Sequence, residues 1–466
     1  MNRSRPGLVT AAHVTHEQGA SAWARELGAL LRLSLPISFA QLGLMTMSLV
    51  DTAAIGRVSV DDLAGAGIGR SIGFAGVMLG IGVASGLEPL AAQAVGAGEH
   101  GLAWRSFVTN ARATLLVWPI GMAAAFAVTL ALPRLGLDPH VVSRVRLYLA
   151  GQAPGFAATL LFFSTKTFLQ THGNTSPAVI ASITANVLNV PAANVLVRGD
   201  GALRAIGLPP VGLPALGALG GGIAFSLASF VLLAFVAVAA LPYRSTEAAP
   251  PIPLAVAYRL GLPVGLQMLA EVGVFTVVAL LSGALGPVVA SAHHIAIGLA
   301  SFTFMAALGV SAATSVRVGR AIGAGASPRL AGTMGIVLGG AAMTFGAVVF
   351  ATAPRALMRV FTSNEQVIGI GLELLRIAAL FQIFDGVQAV AAGALRGAGD
   401  VRFPFVANVV AHWVVGFPAA MVLGFGLRLG ARGLWWGLTA GLVFVSVLLA
   451  VRFAVVTRHA IGRVAP

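Results

Sequence analysis

Apolar runs of roughly twenty residues, the length a helix needs to cross the hydrocarbon layer of a bilayer, follow one another along nearly the whole chain. No single soluble core could take them. Hydrophobic residues make up 58% of the chain and charged ones 9%, too few polar groups to cover a water-soluble surface. Strand-like alternation is absent, so the backbone is expected to satisfy its hydrogen bonds within helices rather than in a β-barrel.

Twelve such runs can be placed, near 29–55, 64–87, 106–132, 143–170, 178–198 and 216–241, then 257–283, 290–314, 330–353, 367–394, 404–427 and 434–457. The longest polar and proline-rich break, YRSTEAAPPIPLAVAYR from Tyr243 to Arg259, separates the two sets of six. The expected organisation is a tail over 1–28, an N-lobe over 29–242, a linker over 243–258, a C-lobe over 259–457 and a second tail over 458–466. The first tail lacks the continuous apolar core of a secretory signal. An even number of spans puts both tails on one side, and a modest excess of basic residues there favours the cytoplasm.

An internal repeat relates the halves. LPISFAQLGL from Leu35 resembles LPVGLQMLAE from Leu262 (262 − 35 = 227), and VGAGEH around Gly96 resembles IGAGAS around Gly323 (323 − 96 = 227). LQTHGNTSP, ending at Pro177, pairs with LRGAGDVRFP, ending at Pro404, across one small gap; VPAA at Pro191 pairs with FPAA at Pro418. Six spans per repeat give both halves the same orientation in the membrane, so the lobes are related by an axis along its normal, with substrate expected between them. The fold class is therefore an all-α polytopic membrane protein of twelve transmembrane helices in two pseudo-symmetric six-helix lobes.

A net charge of +14 would suggest a nucleic-acid partner in a soluble protein. Here the arginines are scattered singly through loops, as headgroup anchors in a lipid bilayer would be, and no nucleic acid is expected. The absence of cysteine excludes disulfides, thiolate metal sites and cysteine nucleophiles. The turns at Gly96–Gly98 and Gly323–Gly325 lack the Lys-Ser/Thr of a phosphate loop and read as tight turns. His293 and His294, adjacent on a helix, diverge in direction and read as packing residues rather than metal ligands.

Of fifteen acidic residues, all but Asp51, Glu88, Glu271 and Asp385 fall in a tail, a loop or a span edge, where water is expected to solvate them. An ionised carboxylate near the bilayer centre costs about 3 kcal/mol, so one kept there marks an ion, proton or substrate path. Through the 227-residue offset Asp51 falls on Val278, Glu271 on Leu44, and Asp385 on Ala158 or its neighbour Thr159. A scaffold carboxylate would recur in both halves; a coupling site can break the symmetry. Asp51, Glu271 and Asp385 are thus read as functional, while Glu88 is read as satisfied by a neighbouring hydroxyl, amide or arginine. Glu373 and Arg376 read as a surface ion pair. Asn186, Asn189 and Asn194, on a span with Pro191, must find partners or line a wet cavity, and helix–helix hydrogen bonding competes with ligand contact. Gln41, Gln267 and Phe381 complete the accessory candidates.

Taken in order, SLVDTAAIG at Asp51, GLEPLAAQAVGAG at Glu88, LPVGLQMLAEVGVF at Glu271, ASAHHIAIGLAS followed by SVRVGRAIGAG, and FQIFDGVQAVAAGALRGAGD at Asp385 resemble the multidrug and toxic compound extrusion (MATE) family, its NorM-type branch above all. The likeness covers nearly the whole chain after the first tail. It implies a V-shaped pair of six-helix lobes that exports organic cations, dyes and drugs in exchange for sodium ions or protons. It implies further that Asp51 is the N-lobe coupling acid, and that Glu271 and Asp385 are the C-lobe acids of a cation site where sodium could bind. Two positions depart from the pattern. Phe381, one turn before Asp385, stands where such sequences commonly carry tyrosine, and Asn189 and Asn194 are spaced by five rather than four. Losing a phenolic oxygen removes a ligand from a site that needs several to replace water around sodium, whereas a proton needs one carboxylate; proton coupling is expected at least as much as sodium.

The expected function is cation-coupled multidrug efflux by alternating access, with no cofactor beyond the coupling ion, from a monomer in a bacterial plasma (inner) membrane with cytoplasmic termini. A lipid-linked oligosaccharide flippase of related fold is the alternative; it would want a basic cavity and extra spans. A membrane enzyme is disfavoured because the intramembrane acids are far apart in sequence and on separate spans.

Overall fold

The computed structural model describes residues 9–55, 59–205, 207 and 209–465, with side chains at 22–47, 54–55, 59, 61–205, 207 and 209–465. Among the described residues twelve helices are long and apolar enough to cross a membrane: α1 Ala22–Met47, α2 Asp61–Gly96, α3 His100–Leu135, α4 Pro139–Thr171, α5 Ser176–Arg198, α6 Gly217–Tyr243, α7 Leu254–Ala284, α8 Pro287–Gly323, α9 Arg329–Thr352, α10 Glu365–Gly397, α11 Arg402–Gly426 and α12 Ala431–Val456. Helices are what the composition demands, because in lipid every backbone N–H and C=O must be satisfied within its own segment. Outward faces carry large apolar side chains such as Ile120, Leu280 and Phe345, which only a lipid solvent tolerates in such number.

The first six helices pack among themselves, as do the last six, and the lobes meet where α1 lies against α8 and α2 against α7. These two seams are copies of one contact. Gly82 of α2 lies against Gly261 and Gly265 of α7; Gly309 of α8, its equivalent (82 + 227 = 309), lies against Ser34 and Ser38 of α1, the equivalents of Gly261 and Gly265. A Cβ on Gly309 would stand 2.7 Å from the Ser38 nitrogen, and one on Gly82 would stand 2.9 Å from the Gly261 carbonyl oxygen, so neither position accepts a side chain without parting the helices. Without a hydrophobic drive between helices in lipid, close backbone approach through small residues is the main source of such contacts.

Polar ties between the lobes gather at the end of the bundle where α1 begins and α12 ends. Arg396 Nε donates to Glu88 Oε2 (2.7 Å), Arg320 Nε to the Thr171 carbonyl (2.7 Å) and Gln93 Nε2 to the Gly397 carbonyl (3.1 Å), while Arg317 pairs with Glu26. Past α12 the chain crosses from one lobe to the other: Arg463 Nη1 donates to Glu99 Oε1 (2.8 Å), and the Val464 amide to Gln93 Oε1 (2.7 Å). Nearer mid-membrane Ser38 Oγ donates to the Ala306 carbonyl (3.3 Å). The lobes are thus clamped together at the first end.

Candidate cation and substrate site

On α7, Gln267, Glu271 and Phe275 recur every four residues and so share one helix face. Glu271 is half-buried, and its Oε2 accepts a hydrogen bond from Asn408 Nδ2 of α11 at 3.2 Å. Directly after Asn408 the helix widens into π-helical turns over Val410–Gly416, and again over Val422–Gly426, a backbone distortion that gathers at functional sites. His412, in the first widened segment, has Nδ1 3.0 Å from the Asn408 carbonyl. A carbonyl can only accept, so Nδ1 carries a proton. His412 Nε2 and Asn408 Oδ1 are buried without a partner among the described residues.

Asp385 of α10 is 7% exposed and near enough to Glu271 for the two charges to interact. Among the described residues no arginine or lysine lies within 4.0 Å of either carboxylate. Gln382 and Gln388 flank Asp385 one turn to each side. Thr303 Oγ1 of α8 donates to Gln382 Oε1 at 2.5 Å, while Gln382 Nε2 and Gln388 Oε1 have no partner among the described residues. Phe381 supplies no oxygen and does not line this polar space: it is part of an apolar cluster with Val274, Val278, Leu434 and Leu438, its ring edge-on to Phe275 at 6.0 Å and 5.9 Å from Trp435. His293 accepts from Trp435 Nε1 at 3.1 Å, a packing contact.

The N-lobe candidates lie on the first helix and on α5. Asp51 lies on the helix Val9–Ile55, but its side chain falls outside the described residues. Asn186 Nδ2 donates to the Gly43 carbonyl (2.9 Å) and to Ser182 (2.8 Å), binding α5 to α1, and Asn194 Nδ2 turns back to Val190 of its own helix (2.9 Å). Only Asn189 of the three is fully buried. Gln41 does engage a charge, its Oε1 accepting from Lys166 Nζ of α4 at 3.0 Å. Among the described residues no three His, Asp or Glu side chains converge as they would around a metal ion. What the C-lobe offers instead is hard oxygen, two carboxylates and an amide, suited to a proton, a sodium ion or an organic cation.

The family follows from comparison with known proteins. A family model described as MatE matches residues 36–195 and again 263–422. The chain belongs to the MATE family. The two matches are displaced by the offset of the internal repeat (263 − 36 = 227; 422 − 195 = 227). Relatives include a probable multidrug resistance protein NorM of Deinococcus radiodurans, 36% identical over 93% of this chain and 96% of its own length. The multidrug resistance protein NorM of Burkholderia vietnamiensis is 34% identical over 92% and 94%. Among solved structures, the eukaryotic MATE transporter AtDTX14 superposes with a TM-score of 0.82 at 22% identity, covering 94% of this chain and 98% of its own. A mutant of the Vibrio cholerae MATE transporter VcmN superposes with the same score at 18% identity over 94% and 98%; both likenesses establish the MATE fold.

Within this MATE chain, Glu88, Glu373 and Asp62 also take partners. Glu88 is satisfied by Arg396, the arginine pairing expected of a structural carboxylate, though the partner comes from the other lobe. Glu373 pairs with Arg432 at the start of α12 rather than with Arg376 three residues on. Asp62, expected to be solvated at a span edge, is 4% exposed: it accepts from Ser59 Oγ (2.7 Å) and the Ala218 amide (2.9 Å), stitching α2 to α6. Asn408, His412 and Lys166 were not singled out by sequence; the first two carry no formal charge within an apolar run, whereas Lys166 had a signal, being the only lysine of the chain.

Proposed function

We propose that this membrane protein exports small-molecule drugs, organic cations among them, from a bacterial cell, in exchange for protons or sodium ions held at the Glu271–Asp385 pair. One observation carries this reading: two carboxylates of the C-lobe, on separate membrane-spanning helices, lie close enough to act on each other, and among the described residues no arginine or lysine comes within 4.0 Å of either. Two like charges in a low-dielectric interior repel, so the pair holds a cation, either the coupling ion or the charged centre of the cargo. Only one of the two fits at a time, and this competition couples export to ion entry without covalent chemistry. The multidrug resistance names of the relatives support drugs as cargo.

With the termini in the cytoplasm of a cell bounded by its plasma membrane, the clamped end faces inward. A proton needs one carboxylate, whereas sodium needs several oxygens to replace its water, which favours protons over sodium. In proteoliposomes loaded with a fluorescent cationic dye, an imposed pH gradient is expected to drive dye movement, and Glu271→Gln or Asp385→Asn to stop it. Movement driven only by a sodium gradient at constant pH would overturn proton coupling; movement unaffected by either substitution would overturn the site.

A further inference from the structure

Every basic residue of the chain is arginine except Lys166. This ammonium lies on α4, 5% exposed, with Nζ 3.0 Å from Gln41 Oε1, 4.5 Å from the centre of the Phe163 ring and 5.7 Å from that of Phe162. Among the described residues no carboxylate comes within 4.0 Å of it; Glu88 acts on it only through its field and is itself engaged by Arg396. An ammonium has three protons to donate, and a single acceptor stands at hand. One turn further along α4, Gln170 Nε2 is a second buried donor without a partner among the described residues. A purely structural role is poorly served by such a residue, because methionine would fill the same volume without a desolvated charge.

The surroundings indicate what the spare donors can take. Gln41 is half-buried on α1, one of the two N-lobe helices of the seam, and Phe163 packs against the same apolar cluster as Met268 of α7. Met268 is three residues from Glu271 and therefore on the same side of its helix. The chain's one lysine, in the N-lobe, and Glu271 of the C-lobe thus border the same inter-lobe region from opposite sides. In the other half the repeat places Ala392 or Gly393 at the position of Lys166, so the C-lobe has no such cation.

We propose that Lys166, with Gln41 and Phe163, forms an anion subsite that holds the carboxylate of amphoteric cargo while the cargo's amine or iminium engages Glu271 and Asp385. This rests on the export reading above and narrows it: cargo bearing both charges is preferred to the corresponding cation.

The test is equilibrium binding to the full-length protein in lipid nanodiscs, using rhodamine B, which carries a cationic chromophore and a carboxylate, and its ethyl ester, which keeps the cation alone. A charge-assisted hydrogen bond lost from a buried site weakens binding about tenfold to a hundredfold. Lys166→Gln and Lys166→Met are expected to weaken rhodamine B by that factor while leaving the ester within about twofold, and Lys166→Arg to keep most of the preference. Retained ester binding shows that each variant is folded. Equal losses for both dyes, unchanged binding of both, or wild-type binding of the ester alone would overturn the subsite and leave the export reading standing. A wild type that binds neither dye would overturn both.

Discussion

At the seam between the lobes, Gly82 lies against Gly261 and Gly265 while its equivalent Gly309 lies against Ser34 and Ser38, so the two halves correspond residue for residue. Away from the seam the correspondence fails wherever the interior is polar. Glu271, Asp385, Asn408 and His412 of the C-lobe fall on Leu44, Ala158 or Thr159, Ala181 and Ala185 of the N-lobe, and Lys166 of the N-lobe falls on Ala392 or Gly393. The difference follows from what each feature must do. Two copies of one bundle can close symmetrically only if both present small residues at the contact, whereas the proposed cation pair, Glu271 and Asp385, draws on one lobe.

The largest effect that would break this comparison comes from the acids. Glu271→Gln or Asp385→Asn is expected to cut gradient-driven export about a hundredfold, the consequence of removing a charge from a buried interaction worth about 3 kcal/mol. Asn186→Ala, which loosens only the α5–α1 contact, is expected to cost about threefold or less. Initial rates from proteoliposomes decide it, and similar losses in both lobes would mean that the polar asymmetry does not carry transport.

A smaller effect tests the seam. Gly82→Val and Gly309→Val each force apart a backbone contact, at about 1–3 kcal/mol of overpacking, and are expected to lower the thermal midpoint of the purified protein by roughly 5 °C. The two shifts should agree. A large shift at one position and none at the other would show that the lobes do not share this contact.

The smallest effect concerns the clamped end, where the halves are tied by unlike elements, Glu99 between α2 and α3 and Arg463 beyond α12. The hydrogen bonds from Arg463 hold the Glu99 carboxyl below its usual range. A lowered value means that the tie is intact at neutral pH and is lost as pH falls through that value, beneath the ordinary carboxylate range of about 4. The pair is more than one-third exposed, so it contributes under about 1 kcal/mol. A donor and acceptor dye on the C-terminal segment and the α2–α3 turn should report its release only in acid for the wild type, and already at neutral pH for Glu99→Gln.

Much of this organisation is legible in the sequence because lipid imposes a simple code. Twelve apolar runs become twelve helices, and the 227-residue offset marks equivalent residues such as Gly82 and Gly309. Glu271 and Asp385 stand out because a carboxylate in an apolar run has few innocent explanations. Asn408 and His412 do not, since uncharged polar residues in a span usually serve helix contacts, as Asn186 does, and nothing in HWVVGFP announces a π-helical turn. Asp62 and Glu373 show the limit of judging an acid by distance from a span edge: their partners, Ala218 and Arg432, are brought to them by other helices. Lys166 was legible by count alone, yet its meaning depends on Gln41 and Phe163, contacts that exist only in the folded bundle.

The most direct test of exchange at the Glu271–Asp385 pair is ion release on cargo binding, followed with a pH electrode in weakly buffered, sodium-free solution as a cationic dye is titrated into the purified protein near neutral pH. Competition for one site predicts about one proton released per dye bound by the wild type and none by Asp385→Asn. Dye binding with no proton release, and with no displacement of sodium when the protein is preloaded with it, would contradict coupling by competition.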